Sequence, residues 1–390
     1  MRRWSRRHFL VSGATFSLSA PALAAGEEPI AFSDYAPDFR TDAQDNNPRV
    51  KSFDLRTLTS FTTPTEDFFA FHQTRAPQAD PATWRLRIGG LVKRPLELSL
   101  DDLVKRPGQR NAAVTIECSG NSDDPRIMNG LVSNAVWSGV DLAELLRESL
   151  VQPEAREVVF LGMDSEPDVK WEAGNTSYPS PHGWSIYVQE ALSGNHLLAF
   201  AMNGKPLPAE HGFPLRLVMP GWYGMSQIKW LTRIEVIDHR YEGRHMARNY
   251  QSLRAVKSPE TTLWLDTSIS RNNLKSVVAR ITRHRVGERF KYKIFGAAWG
   301  GSAKIVRVEV QIDGSSWQEA SIDERRGDSA WLLWSMTWKD PAPGRHILVS
   351  RAINDRGGIQ PTREELRESL LSNREDNSQW PRRVAIDSAR

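Results

Sequence analysis

The residue with the most distinctive chemistry is Cys118, the single cysteine in a chain of 390 residues. The alternating run 114–118 predicts a strand that delivers Cys118 to a turn with the sequence Ser-Gly-Asn. A lone thiol cannot form an internal disulfide, and as a thiolate it is a soft ligand suited to a redox-active metal. The alternative interpretation is a small buried hydrophobic residue. Gly120 favours the ligand interpretation, because a glycine lets the backbone lie close to a bound group.

Other catalytic chemistries find little support in the residue patterns. The nine histidines show no paired spacing of the kind that zinc enzymes use, and no Gly-x-Ser-x-Gly motif of a hydrolase is present. The chain has no Cys-x-x-Cys-His motif either, which predicts that it carries no c-type haem.

The elements expected to position Cys118 form an α+β domain over residues 61–257. Its strands and short helices are predicted from alternating apolar runs, from the capping residue Ser99 and from amphipathic spacing, at 84–91, 100–104, 139–147 and 158–161. The densest cluster of turn residues and charges follows at 203–236. Residues 258–390 change to an all-β pattern of alternating runs separated by turns, which predicts a β-sandwich. The polar segment 25–60 is interpreted as an irregular N-terminal arm.

Residues 1–24 resemble an export signal. Four arginines precede the weakly apolar run 9–18, the pair Arg6 and Arg7 is followed by His-Phe-Leu, and Ala22-Leu-Ala24 offers a cleavage site. This pattern predicts twin-arginine export to the periplasm, with a general secretory signal as the alternative. Removal of the segment leaves equal numbers of basic and acidic residues. A neutral mature chain with no membrane span gives no reason to expect nucleic acid or an anionic membrane as a partner.

Several ordered blocks of the sequence resemble the molybdenum-binding domain of sulfite oxidases, which sulfane dehydrogenase subunits share. The blocks are Ile116–Asn121, Trp137–Gly139 with Leu142, Asn203–Leu207, His211–Arg216 and Lys229–Leu231. Further blocks at 298–301, 308–317 and 351–355 resemble the dimerisation domain of that family. The resemblance implies an α+β molybdopterin-binding domain followed by an all-β immunoglobulin-like sandwich, and a homodimer formed through the sandwich.

The resemblance also implies roles for individual residues around a molybdenum–molybdopterin cofactor. Cys118 becomes the metal ligand, and Tyr250 stands where the family has a tyrosine beside the metal. His211, Arg216 and Lys229 match residues that bind the pterin phosphate, and Asp164 one that holds the pterin amino groups. The remaining implied contacts are with the cofactor (Phe69, His72, Ser226, Gln227), with the pocket (Trp137) and with a substrate anion (Arg367). For Arg216 and Lys229, the alternative is a solvated charge at the edge of a strand. For Tyr250 and His72, the alternative is an exposed side chain on the surface.

Two positions depart from the family pattern. Phe71 stands where the family has an arginine that binds sulfite, and Asp123 stands where it has a second arginine. Each charged contact in a partly buried site contributes about 1–3 kcal/mol, so both changes are expected to weaken the binding of a small dianion. His72 is a candidate for the missing cation.

The sequence thus predicts a periplasmic, sulfite-dehydrogenase-like enzyme that transfers an oxygen atom to a small sulfur-containing substrate. Since no haem motif is present, an external cytochrome c is the expected electron acceptor. Oxidation of a protein-bound sulfane, or a reductase that runs oxygen-atom transfer in the other direction, is the alternative within the same class. A non-catalytic module with a decayed cofactor site, which only binds a partner, is the alternative of another class.

Overall fold

The computed structural model describes residues 26–34, 50–74, 76–124, 127–170, 177–300 and 303–387. The predicted export signal at 1–24 lies outside these ranges. No helix in the ranges combines the length and the apolar character that crossing a membrane requires.

In the described residues, the N-terminal part of the fold contains one antiparallel five-stranded sheet, one mixed five-stranded sheet and three short α-helices. The helices are α1 (Leu100–Val104), α2 (Leu142–Glu148) and α3 (Val188–Ser193). The strands are β1 (Glu27–Ile30), β2 (Val50–Lys51), β3 (Ala70–Phe71), β4 (Leu86–Gly90), β5 (Leu96–Leu98), β6 (Arg110–Glu117), β7 (Val132–Asp141), β8 (Glu157–Lys170), β9 (Ser177–Tyr187), β10 (Leu197–Met202), β11 (Lys205–Pro206), β12 (Arg216–Val218) and β13 (Leu231–Ile237).

Local sequence explains where these elements begin. Ser99 and Asp102 form a capping box that starts α1, as the sequence predicted, and Asp141 caps α2 through the amide of Ala143. One sheet has the order β11-β10-β7-β6, with β12 paired to β10, and the other has the order β5-β4-β13-β8-β9. Strand β6 pairs with the deeply buried β7 from Arg110 to Glu117. Cys118 follows directly, so the predicted strand-to-turn junction is confirmed.

The C-terminal part of the fold consists of strands and one short helix, α4 (Arg363–Arg367). The strands are β14 (Gln251–Lys257), β15 (Thr262–Ser268), β16 (Lys275–Val286), β17 (Arg289–Trp299), β18 (Ile305–Ile312), β19 (Gln318–Glu319), β20 (Ser321–Arg325), β21 (Leu332–Trp338), β22 (Gly344–Asn354), β23 (Leu370–Leu371) and β24 (Arg382–Ile386). Sheets of order β1-β16-β17-β21-β20 and β19-β18-β22-β24 share one core, which matches the predicted sandwich.

The N-terminal arm departs from its prediction. Residues Glu27–Ile30 form an edge strand on β16, and Phe32 makes a β-bridge with Val384. The interpretation of 25–60 as irregular is therefore wrong for this part. A four-residue strand has no periodicity to detect, and here it is stabilised by a partner strand some 250 residues away in the sequence.

The predicted domain boundary at 257/258 stays a prediction. It lies inside a hairpin formed by β14 and β15. In this hairpin Gln251 is opposite Ser268, and Lys257 is opposite Thr262. The two parts of the fold are also continuous in their packing. Trp331 of the sandwich donates a hydrogen bond through Nε1 to Phe61 O at 2.7 Å, and its backbone N–H donates to Thr115 Oγ1 on β6.

Candidate functional site

A cleft with about 710 Å³ of empty space opens where β6, β12 and the 69–73 segment meet. Its walls bring together most of the residues that the sequence singled out, and they are lined by Phe69, Phe71, His72, Cys118, Asp164, His211, Arg216, Gln227, Lys229 and Tyr250.

Cys118 forms part of one wall of the cleft. The amide of Cys118 donates to Leu131 O at 2.9 Å, and the amide of Asn121 donates back to Cys118 O at 2.9 Å. Burial raises the pKa of the Cys118 thiol, while the amide of Gly120 and the positive charge of Arg374 act in the opposite direction. Cys118 lines the cleft and is partly exposed, which favours the ligand interpretation over a purely structural cysteine.

A buried arginine, Arg216, and a partly exposed lysine, Lys229, line the cleft. Arg216 begins β12, is 4% exposed, and lies with its guanidinium carbon 4.7 Å from the centre of the Trp137 ring. Burial lowers the pKa of Arg216 to about 9. Burial, and then the charge of Arg216, lowers the pKa of Lys229 well below its usual value, against the smaller opposing effects of Asp164 and Glu210. Such desolvated cations are stabilised when an anion such as a phosphate enters.

Two neutral histidines stand beside these cations. Burial and the neighbouring charges of Lys229 and Arg216 lower the pKa of His72 and of His211 to about 3. Lys229 Nζ contacts His72 Nδ1 and donates to Phe71 O at 3.0 Å. His72 is consequently uncharged at neutral pH. It does not replace the missing arginine, although it stays in the cofactor-facing wall.

Asp164 lies on the same side of the cleft as Lys229. Burial raises the pKa of this carboxyl group to about 7, and the charge of Lys229 opposes the shift. Within the part of the chain that the structure describes, Asp164 Oδ1 is buried without a hydrogen-bond partner. A buried acceptor of this kind is suited to the amino groups of a bound ligand.

The donor set fits a molybdopterin cofactor. One soft sulfur, on Cys118, shares a cleft with the basic side chains of Arg216 and Lys229 and with the carboxyl group of Asp164. In the described residues, Arg216 Nε and Asp164 Oδ1 both lack a hydrogen-bond partner, so a polar ligand would satisfy groups that the protein leaves open. No cluster of three or more His, Cys, Asp or Glu side chains that could hold a metal occurs in those residues.

At the other end of the cleft, Tyr250 is part of a hydrogen-bonded chain. Its hydroxyl oxygen accepts a hydrogen bond from Gln73 Nε2 at 3.0 Å, and Gln73 Oε1 lies 2.7 Å from His245 Nε2. The His245 ring is 4.4 Å from the ring of His182, centre to centre. Tyr250 is 5% exposed, so the interpretation as an exposed linker residue is wrong. Sequence analysis missed Gln73, His182 and His245, because their spacing in the chain carries no motif.

The arginine that approaches this end from the C-terminal part is Arg374, not Arg367. Arg367 is exposed at the end of α4 and does not line the cleft. Arg374 lies with its guanidinium carbon 4.6 Å from the centre of the Tyr250 ring. The reason is that β23 pairs with β14 after α4, and the amide of Glu375 then donates to Ser119 O at 2.6 Å, which brings the chain to the cleft.

Three further side chains stand elsewhere than expected. Ser226 is fully buried and donates to Tyr223 O at 2.8 Å, so it does not line the cleft. Gln227 lines the cleft, but its amide group bonds to the backbone of Met219 and of Trp222, which gives it a supporting position. Trp137 is fully buried beneath Arg216, in the core.

The two departures from the family pattern have different consequences. Phe71 lines the cleft and is 40% exposed, so an apolar ring stands where the family has a cation. Asp123 does not line the cleft, and its carboxylate forms a salt bridge with Arg363 of α4. The expectation that Asp123 repels an anionic ligand is therefore wrong, because Arg363 neutralises its charge.

Two family models match the sequence. The model "Oxidoreductase molybdopterin binding domain" matches residues 72–245, and the model "Mo-co oxidoreductase dimerisation domain" matches residues 266–386. Human mitochondrial sulfite oxidase is 34% identical over 328 residues, which cover 77% of this chain and 58% of the human protein. Sulfite oxidase of Gallus gallus is 30% identical over 328 residues, which cover 77% of this chain and 68% of that protein.

A solved structure shares the fold. The sulfane dehydrogenase SoxCD from Paracoccus pantotrophus matches with a TM-score of 0.73 and 24% identity, over 93% of this chain and 91% of that one. At this level of identity the likeness concerns the fold alone. The chain spans 57% to 58% of the length of the mouse and human sulfite oxidases that it matches.

Proposed function

The chain belongs to the sulfite oxidase family of molybdopterin oxidoreductases, and on that premise we propose that it oxidises a sulfur compound as a sulfite-dehydrogenase-like enzyme. The observation that carries the proposal is the presence of the Cys118 sulfur in one cleft with the basic residues Arg216 and Lys229. When bound, molybdopterin supplies two-electron redox chemistry and oxygen-atom transfer, which no protein side chain provides.

The residues at the cation end bind and orient the cofactor. Arg216 and Lys229 would hold its phosphate group, with neutral His211 beside them. Asp164 would accept hydrogen bonds from the pterin amino groups, since its Oδ1 has no partner in the described residues. Cys118 would supply the thiolate ligand, and the amide of Gly120 favours the negative charge on that sulfur.

The residues at the other end would receive the substrate. Tyr250 can donate a proton or a hydrogen bond to a substrate oxygen, and Gln73 holds its hydroxyl group in place. Arg374 adds a positive charge beside the Tyr250 ring, which favours an anionic substrate. The exposed ring of Phe71 adds an apolar surface to the wall of the same cleft.

The cellular setting of the reaction is part of the same proposal and is supported by the sequence alone. The signal-like segment 1–24 supports a periplasmic location through twin-arginine export. With no haem motif in the chain, we expect electrons to pass to a separate cytochrome c. The match of residues 266–386 to a dimerisation domain, with the two-sheet sandwich, supports a homodimer formed by an immunoglobulin-like domain.

A larger sulfur compound, such as a protein-bound sulfane, is the second candidate substrate. Phe71 favours it, because replacing a cation with an exposed apolar ring suits a substrate that carries apolar groups next to its sulfur. Sulfite, a small dianion, gains nothing from contact with that ring.

The test is a substrate screen on protein exported from a host that makes molybdopterin. We expect molybdenum to copurify with the wild-type chain and to be lost from Cys118→Ser, and sulfite to reduce cytochrome c only with the wild type. Sulfite turnover no better than that of Cys118→Ser would reject sulfite as the substrate. A wild-type chain without molybdenum would instead favour a non-catalytic binding module.

A further inference from the structure

A buried ion pair connects the strand that leads to Cys118 with the C-terminal sandwich. Glu117 is the last residue of β6 and Lys275 is the first residue of β16, and they are 1% and 2% exposed. Lys275 Nζ lies 3.3 Å from Glu117 Oε1. Two charges are removed from water at little net cost only when their remaining hydrogen bonds are also satisfied.

The surroundings of the pair satisfy those hydrogen bonds. Glu117 Oε1 also accepts from Asn121 Nδ2 at 3.0 Å, and Glu117 Oε2 accepts from Trp299 Nε1 at 2.8 Å. Lys275 Nζ donates to Asn121 O at 3.3 Å and to Asp376 O at 2.7 Å, besides Glu117. Residues from three separate segments of the chain thus meet at one carboxylate.

This network holds the turn that carries the sulfur. The side chain of Asn121 is oriented by Glu117, and its Oδ1 accepts a hydrogen bond from the backbone N–H of Leu131 at 2.9 Å. The backbone N–H of Asn121 donates to Cys118 O. The amide of Glu375 holds the other side of the turn through Ser119 O. The turn is therefore held from both sides by the C-terminal part of the chain.

A stabilising role alone does not account for this arrangement. Replacing a buried ion pair with apolar residues of similar volume is frequently neutral or favourable for stability, so such a pair is a weak means of stabilising a fold. A pair next to a metal ligand has another use, because groups that support a ligand fix its orientation.

We propose that Glu117 and Lys275 are positioning residues for Cys118, so that retention of the cofactor depends on the C-terminal sandwich. The inference rests on the proposed function where it concerns the cofactor. It extends that function by assigning a role in metal binding to a residue outside the cofactor-binding domain.

The single cysteine makes the position of the turn directly measurable. A thiol reagent such as dithiobis(nitrobenzoate), applied to the full chain made without molybdopterin, reports on Cys118 alone. We expect Glu117→Gln and Lys275→Met to speed the modification of Cys118. The matched control is Glu157→Gln, since Glu157 is also 1% exposed and accepts from Ser185, Arg240 and Tyr241 in a different sheet.

The cofactor-loaded protein gives the second measurement. We expect the loss of molybdenum during dialysis to be about 10- to 100-fold faster in Glu117→Gln than in wild type or Glu157→Gln, as for other groups that support a metal ligand. The double variant Glu117→Gln/Lys275→Met leaves no unpaired buried charge, so it folds where a single variant does not. It should keep the fast thiol reaction even with a melting temperature near that of the wild type.

Two results would overturn the inference. The first is a rate of Cys118 modification that depends on the melting temperature alone, so that Glu157→Gln speeds the reaction as much as Glu117→Gln does. The second is a double variant with the wild-type thiol rate. If the wild-type chain contained no molybdenum, the proposed function would fail, but the thiol measurement would still decide whether the pair positions Cys118.

Discussion

The guanidinium carbon of Arg374 lies 4.6 Å from the centre of the Tyr250 ring, which joins the C-terminal part of the chain to the substrate end of the cleft. The two residues are far apart in the sequence, and they meet because the amide of Glu375 is held by Ser119 O. Arg374 does not line the cleft itself, but it places a positive charge from the C-terminal part of the chain behind Tyr250, which does line the cleft.

Arg374→Met is expected to raise KM for an anionic substrate. A charged contact of this kind contributes about 1–3 kcal/mol, which corresponds to about a 5- to 150-fold change. The matched control is Arg367→Met, because Arg367 is exposed and does not line the cleft. Steady-state kinetics of both variants would contradict this assignment if their KM values for sulfite rose equally.

Phe71→Arg is expected to lower KM for sulfite, because it places a cation at an exposed position of the cleft wall. The change should leave the free energy of unfolding within about 0.5 kcal/mol, as is usual for exposed positions. Phe71→Leu serves as the control, since it keeps the site apolar. If Phe71→Arg left the ratio of kcat/KM for sulfite and for a larger sulfur compound unchanged, Phe71 would not set specificity.

Gln73→Leu is expected to lower kcat more than it raises KM. The variant removes the hydrogen bond from Gln73 Nε2 to the Tyr250 hydroxyl and the contact with His245, so the phenol is no longer held for proton donation. The double variant with Tyr250→Phe should be no slower than Tyr250→Phe alone, because coupled residues show non-additive effects. Additive losses of kcat would show that Gln73 acts independently of Tyr250.

Stability of the cofactor-free protein is expected to fall as the pH drops below about 6.5. The pKa of His211 is about 3 in the folded chain, below its value of about 6.5 when unfolded, so the unfolded chain takes up the proton first. The resulting stabilisation is complete above pH 6.5 and is lost toward pH 3.

His211→Gln should therefore flatten the dependence of the unfolding free energy on pH by about 1 kcal/mol per pH unit in this window. Denaturant titrations at pH 4 to 7 measure this slope. An equal slope in wild type and His211→Gln would contradict a neutral, buried His211.

Local sequence was sufficient for the features that depend on a few neighbouring residues. The strand and turn around Cys118, the helix start capped by Ser99, and the alternating strands of the C-terminal part were all predicted, because side-chain periodicity and capping act within a few residues. The blocks around His211, Arg216 and Lys229 pointed to the family, which the comparisons confirmed.

Only the tertiary structure decided which residues share the cleft and in which charge state. Arg374 rather than Arg367 reaches Tyr250, Arg363 neutralises Asp123, and His72 is left uncharged beside Lys229. Residues 27–30 become a strand only through β16. Each of these outcomes depends on the distance between groups far apart in the chain and on the loss of water around them. The sequence specifies both quantities only through the completed fold.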